Sequence, residues 1–122
     1  MAGDSAARTA EADLATIADL LDDEYARAIL AATSREAMSA EELSDACEAS
    51  PPTVYRRLER LREADLVTAR RELDPDGHHY EVFRARLSRV TVDLADGEYR
   101  VQVERREQDA ADRFTELFEG LR

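Results

Sequence analysis

The stretch SAEELSDACEASPPTVYRRLERLREADLVTARRE, residues 39–72, decides the fold. It opens on Ser39-Ala40-Glu41-Glu42, a capping box in which the Ser39 hydroxyl accepts from the amide of residue 42 and the Glu42 carboxylate accepts from the amide of residue 39. A short helix is predicted from there to about Ala49, with Leu43 and Ala46-Cys47 facing inward. Ser50-Pro51 restarts the chain at once, with Ser50 as N-cap and Pro51 at the first helical position, where its missing N–H costs nothing. The next helix runs from Pro51 to about Ala64 and sets Val54, Leu58 and Leu61 on one face at i, i+4 and i+7. Opposite them lie Pro52, Thr53, Arg56, Glu59 and Arg60, with Tyr55 and Arg57 on the flanks.

After Leu66 the period changes from helical to two. Leu66 to Leu73 alternates, Asp74-Pro75-Asp76-Gly77 makes a turn, and His78 to Phe83 alternates again. This is a hairpin standing next to the second helix of the pair. Upstream, Leu14, Ile17, Leu20 and Leu21 recur at helical spacing from Asp13, and Asp22 or Asp23 caps a further helix with Tyr25, Ile29 and Leu30, ending near Thr33-Ser34. Downstream, Asp96-Gly97 is a strong hairpin signal. With those two residues as the loop, Leu94 faces Tyr99, Val92 faces Val101, Val90 faces Val103 and Asp93 faces Arg100, so every pair matches in kind. Residues 109–121 carry Phe114, Leu117, Phe118 and Leu121 as one stripe at helical spacing. Residues 1–12, small and polar without a period, read as a mobile arm.

A chain of 122 residues is about one domain, so every contact must share one small core. The N-terminus has no apolar h-region and no run long enough to span a bilayer, which leads us to expect a soluble, cytoplasmic protein. The single cysteine, Cys47, leaves no intrachain disulfide and no multi-cysteine metal site. No Ser-His-Asp or Cys-His order with plausible surroundings, no Gly-rich phosphate loop and no multi-ligand metal spacing is present, and the only two histidines are adjacent in a turn, so neither an enzyme nor a cofactor is expected.

All 17 basic residues are arginine, against 28 acids, for a net charge of -11. Such a surface suits a cytosol of molar salt, where screening removes self-repulsion, and we read it as haloarchaeal. The charge is unevenly spread. Residues 1–49 hold 3 Arg against 12 acids, residues 50–71 hold 6 Arg against 3 acids, and residues 72–122 hold 8 Arg against 13 acids. The basic segment is the helix that follows the tight turn.

This order of helices and hairpin, carried by Leu43, Ser50, Thr53-Val54, Leu58, Leu61 and Leu66-Val67, resembles winged helix-turn-helix regulators of the ArsR and PadR type, especially their haloarchaeal members. The resemblance covers residues 13–86; the second hairpin and the segment DRFTELFEGL also resemble haloarchaeal members. It implies an α+β fold: a winged helix-turn-helix DNA-binding domain at 13–86, then an added β-hairpin and a terminal dimerisation helix at 87–122. It further implies a homodimer that regulates transcription by binding double-stranded DNA, with helix 51–64 in the major groove and wing 66–84 on the backbone.

The expected DNA contacts are Ser50, Pro52, Thr53, Tyr55, Arg56, Arg57 and Arg60 on the helix, and Arg70, Arg71, His78 and His79 on the wing. Arginine can bond guanine O6 and N7 in a bidentate way and threonine can touch a thymine methyl, so Arg56 and Thr53 are the base-reading candidates. Tyr55, Arg57 and Arg60 lie nearer the phosphates. Leu14, Ile17, Phe114, Leu117, Phe118 and Leu121 are the expected dimer contacts. Carboxylates near the backbone, such as Glu59, Glu63, Glu72, Asp74 and Asp76, would repel phosphate unless cations lie between them, so cations join the expected partners.

Metal-sensing relatives carry paired thiolates on the helix before the recognition helix; Cys47 is alone, and reads as a small buried hydrophobe or a redox-sensing thiol. His78-His79 read as phosphate contacts, a pH switch or exposed turn residues. A rival reading is a winged-helix protein-interaction module that binds no DNA. Its mark would be an acidic or apolar outer face on helix 51–64, which Arg56 and Arg60 oppose.

Overall fold

The computed structural model describes residues 7–107. Helix α1 (Leu14–Asp22) starts at Asp13, whose carboxylate accepts from the Thr16 amide at 3.0 Å. Asp23 caps α2 (Glu24–Arg35) in the same way at 2.8 Å from the Ala26 amide. Between the two caps the chain turns a corner without a loop. The Ser39 capping box forms as expected, with both reciprocal bonds present, and opens α3 (Ala40–Ala46). That helix ends at Ala46, three residues short of the expected limit, because Glu48 adopts φ 51 and breaks the helical path. Helix α4 (Pro51–Glu63) follows from its Ser50 cap.

Two three-stranded antiparallel sheets complete the chain. One has the order β2-β4-β3, from β2 (Met38–Ser39), β4 (His79–Ala85) and β3 (Val67–Leu73). The other has the order β1-β6-β5, from β1 (Ala7–Ala12), β6 (Glu98–Arg106) and β5 (Leu87–Ala95). The register of the second hairpin is the expected one, pairing Leu94 with Tyr99, Val92 with Val101, Val90 with Val103 and Asp93 with Arg100. Asp96 and Gly97 both take positive φ, 53 and 78, as a two-residue type I′ turn requires.

Residues 7–12 correct the expectation of a mobile arm. They form β1 along β6, from Ala7 opposite Arg106 to Ala12 opposite Val101. Their sequence carries little alternation because the edge strand takes its register from β6 through backbone bonds, and Ala12, opposite Val101, packs against the core.

One core serves both sheets. Ile17, Leu20, Ile29, Leu43, Val54, Leu58, Leu61, Leu66 and Phe83 are buried in the same cluster as Val101 and Val103 of β6. Thr33, a buried polar residue, donates its hydroxyl back to the Ile29 carbonyl at 2.7 Å. Ile17, expected at a dimer contact, is thus part of the chain's own core, while Leu14 one turn earlier stays exposed. The expected terminal helix with Phe114, Leu117, Phe118 and Leu121 lies outside the described residues. Among the described residues no helix is long and apolar enough to cross a membrane.

Candidate nucleic-acid interface

Helix α4 meets the core through Val54, Leu58 and Leu61, which leaves the opposite side to solvent. At its start the Ser50 hydroxyl accepts from the Thr53 amide at 3.4 Å and donates to Thr53 Oγ1 at 2.9 Å. Pro51 and Pro52 occupy the first turn. The turn before it is closed by the Ala49 amide on the Ser44 carbonyl at 3.1 Å and the Ser44 hydroxyl on the Ala49 carbonyl at 2.5 Å. The helix start is therefore rigidly set at the surface, with Pro52, Tyr55 and Arg56 exposed and Thr53 half-buried beside them.

The arginines of α4 divide by the angle at which they leave the helix. Arg57, expected on the flank nearer the phosphates, is bonded within the protein. Its Nε donates to Asp23 Oδ2 at 2.7 Å and its Nη2 to Asp23 Oδ1 at 3.1 Å, and the guanidinium lies 5.8 Å from the Tyr25 ring centroid. Both side chains of the pair are mostly covered, at 24% and 19% exposure. This two-point bond holds the Asp23 carboxyl below the usual carboxylate range, against the opposing push of burial, and raises Arg57. Arg60 lies with Asp19, Asp22, Asp23, Glu24 and Arg27 around a shallow depression at the α1–α2 corner, and its charge also stabilises the Asp23 carboxylate. Arg62, on the other flank, reaches toward Glu81 of β4 at 3.9 Å. Arg56, between these flanks, projects to solvent.

The β3–β4 hairpin stands beside α4. Its turn is ordered by Asp74, whose Oδ1 accepts from the amides of Asp76 and His78 at 2.9 and 2.8 Å, while the Gly77 amide donates to the Asp74 carbonyl at 3.0 Å. Gly77 takes φ 87, a conformation that costs glycine nothing. His78 and His79 are exposed, and His78 Nδ1 lies 3.7 Å from Asp74 Oδ2. Arg70 Nε approaches Glu72 Oε2 at 3.5 Å, and Arg71 is exposed. Asp74, Asp76 and His78 bring one ligand atom each within 4.8 Å of one another. The turn amides already account for Asp74 there.

Between the start of α3, Tyr55 of α4 and the wing lies a cleft of about 680 Å³ whose walls include Glu41, Glu42, Asp74 and Glu81. The concave side is acidic, and the convex face of α4 is cationic at Arg56. Cys47, half-buried, packs on the core, and burial pushes its thiol up, which disfavours the thiolate a redox sensor needs.

A fastening that sequence reasoning missed joins the second sheet to α4. Asp65, at φ 61 just past the helix end, accepts Arg86 Nη1 on its carboxylate at 2.8 Å. Arg105 donates through Nη2 to the Ala64 carbonyl and through Nε to the Asp65 carbonyl, both at 2.8 Å. A guanidinium thus satisfies carbonyls left open at the C-terminus of α4 and sits favourably on the helix dipole. The signal was available: Arg105 continues the Val101-Val103 face, where a cation in an apolar alternation calls for a specific acceptor.

Residues 21–70 match a protein family described as a helix-turn-helix domain. They run from the end of α1 through α2, α3 and α4 into β3, so the match covers the capped pair and the cationic helix. A comparison with curated proteins finds no match. With the β3–β4 hairpin standing as a wing beside α4, the chain is an α+β winged helix-turn-helix protein, similar over those residues to domains of the DNA-binding regulatory kind.

Proposed function

We propose that the protein is a sequence-specific regulator of transcription in a halophilic archaeon, a cytoplasmic homodimer that sets α4 in the major groove of double-stranded DNA and the β3–β4 wing along the backbone. The observation that carries this reading is the division of α4. Val54, Leu58 and Leu61 are buried, and the solvent side near the capped start presents Thr53, Tyr55 and Arg56. An outward arginine near the start of such a helix can act as a bidentate guanine reader, with the threonine and tyrosine beside it able to touch bases or phosphates. Arg71, His78 and His79 on the wing then lie toward the flanking phosphates. The acidic cleft walls and the wing carboxylates Glu72, Asp74 and Asp76 support cations as co-partners, since carboxylates that approach phosphate need an intervening positive charge.

A regulator of this kind answers a signal, and we propose environmental stress as its class. Cys47 packs against the core and burial pushes its thiol up, which favours salt and cations at the interface over thiol chemistry as the signal. The deciding experiment is genome-wide mapping of bound sites at native and at shifted salt, each with and without oxidant, joined to anisotropy titrations of recovered sites against random duplex. A few shared motifs bound at least tenfold more tightly than random DNA are expected. Equal binding to both, or none, would refute sequence-specific regulation and favour a protein-interaction module.

A further inference from the structure

The wing has two roots, and one knot of bonds holds both. Ala64-Asp65-Leu66 joins α4 to β3, and Arg86 alone joins β4 to β5 of the second sheet. The Arg86 amide donates to the Leu66 carbonyl at 2.8 Å. Its guanidinium donates through Nη1 to the Asp65 carboxylate at 2.8 Å and through Nε to the Arg106 carbonyl at 3.0 Å. Arg105 of β6 completes the knot with its bonds to the Ala64 and Asp65 carbonyls. Its side chain is only 15% exposed, so little water competes for those acceptors.

These bonds do more than end a helix. Helix α4 already closes in a Schellman arrangement, with the Leu66 amide on the Leu61 carbonyl at 2.8 Å and the Asp65 amide on the Arg62 carbonyl at 2.9 Å. Arg105 takes the carbonyls of the joint itself, which that arrangement leaves open. Glycine is the usual residue at the left-handed position, yet Asp65 holds φ 61 there with its carboxylate tied to Arg86. Glycine would stop the helix at less cost. What the aspartate adds is a directional bond to the residue that links the two sheets.

Elsewhere α4 and the wing rest on the core through Val54, Leu58, Leu61, Val67 and Phe83, and apolar contact is non-directional. The seven residues of β3, at ~3.4 Å each, carry the wing tip about 24 Å from its root. A swing of about 10° at the root therefore moves the tip by about 4 Å, which breaks any hydrogen bond made there. We infer that Arg105 is a positioning residue: by locking the joint it fixes the angle between α4 and the wing, so that both meet one duplex in one register. This rests on the regulator reading above. Arg105 then acts on specificity through α4 and the wing, with no phosphate contact of its own.

Two measurements test this, with circular dichroism in molar KCl confirming that each variant is folded. In a Cys47→Ala background, spin labels at Glu59→Cys on α4 and Asp76→Cys at the wing tip report their separation by pulsed dipolar spectroscopy. With Arg105 present the distance distribution should be narrow. Arg105→Gln should broaden it about twofold, and Arg105→Lys, whose ammonium lacks the planar fork that spans two carbonyls, should fall between. Unlabelled protein is then titrated by anisotropy against a recovered operator and random duplex. Arg105→Gln should lower the operator-to-random affinity ratio about tenfold while random-duplex affinity stays within about twofold and the salt slope is unchanged. Arg105→Lys should recover part of the ratio. Arg89→Ala, which removes a largely exposed cation beside Glu104 on the same sheet, should move neither reading. A distribution unchanged in Arg105→Gln, a ratio that survives a broadened one, or a salt slope reduced by about one would overturn the inference. If Arg105→Gln does not fold, Arg105→Lys decides by the same readings. A wild type that binds operator and random duplex alike refutes the regulator reading, and the spin labels still decide whether Arg105 sets the angle.

Discussion

Replacing Asp23 with alanine should destabilise the protein by about 2–4 kcal/mol, more than its position at a surface corner suggests. Its carboxylate performs two tasks at once, capping α2 through the Ala26 amide and bonding the Arg57 guanidinium at two points. Loss of a cap costs about 0.5–2 kcal/mol, and loss of hydrogen bonds to a charged partner about 1.5–3 kcal/mol. Arg57 retains 24% exposure, so water recovers part of the second loss. Arg57→Ala spares the cap and should cost about 1–2 kcal/mol, and the double variant should show a coupling energy of about 1–2 kcal/mol. Urea unfolding followed by circular dichroism in molar KCl measures all three.

The cycle also has a pH signature. The Asp23 carboxyl is held below its ordinary value by Arg57, so the pair contributes fully above the unfolded-state value near 3.8 and is lost as pH falls through the lower folded-state value. The Arg57→Ala deficit should therefore shrink only below about pH 4. DNA binding separates the two roles of Arg57. A phosphate contact would reduce the salt slope of binding by about one on removal, and a positioning residue leaves the slope unchanged while affinity falls with stability. Additive single variants, or a slope reduced by one, would refute the assignment of Arg57 to holding α4 against the α1–α2 corner.

Arg56→Ala should cost about 1–3 kcal/mol of binding and relax the preference at one base pair per half-site; equal loss on specific and random duplex would make Arg56 a phosphate contact instead. Phe114→Asp with Phe118→Asp should abolish the dimer in light scattering, and with it the need for two half-sites about one helical turn, roughly 10 base pairs, apart. Operator affinity titrated from moderate to molar KCl should show a salt slope far shallower than about -0.9 per neutralised phosphate, because cations taken up beside carboxylates offset those released. Neutralising Glu72 and Asp74 should then make the slope steeper, and a steep slope already in the folded wild type would count against cation uptake.

Local signals were legible because their physics is local. The Ser39 capping box, the Ser50-Pro51 restart, the buried face of α4 and the Asp96-Gly97 register each depend on residues within a few positions of one another. That is why the helix pair, the wing and the second hairpin could be read in order, and why Arg56 could be placed on the outward side of its helix. What only the tertiary structure decided are the partners of groups far apart in sequence. Arg57 meets Asp23 across 34 positions and Arg105 meets the end of α4 across 41, and no period in the chain encodes such pairs. The same limit hid β1, whose register comes from β6, and turned Ile17 from a dimer contact into core, because whether an apolar residue is covered from within depends on which strand the fold lays over it.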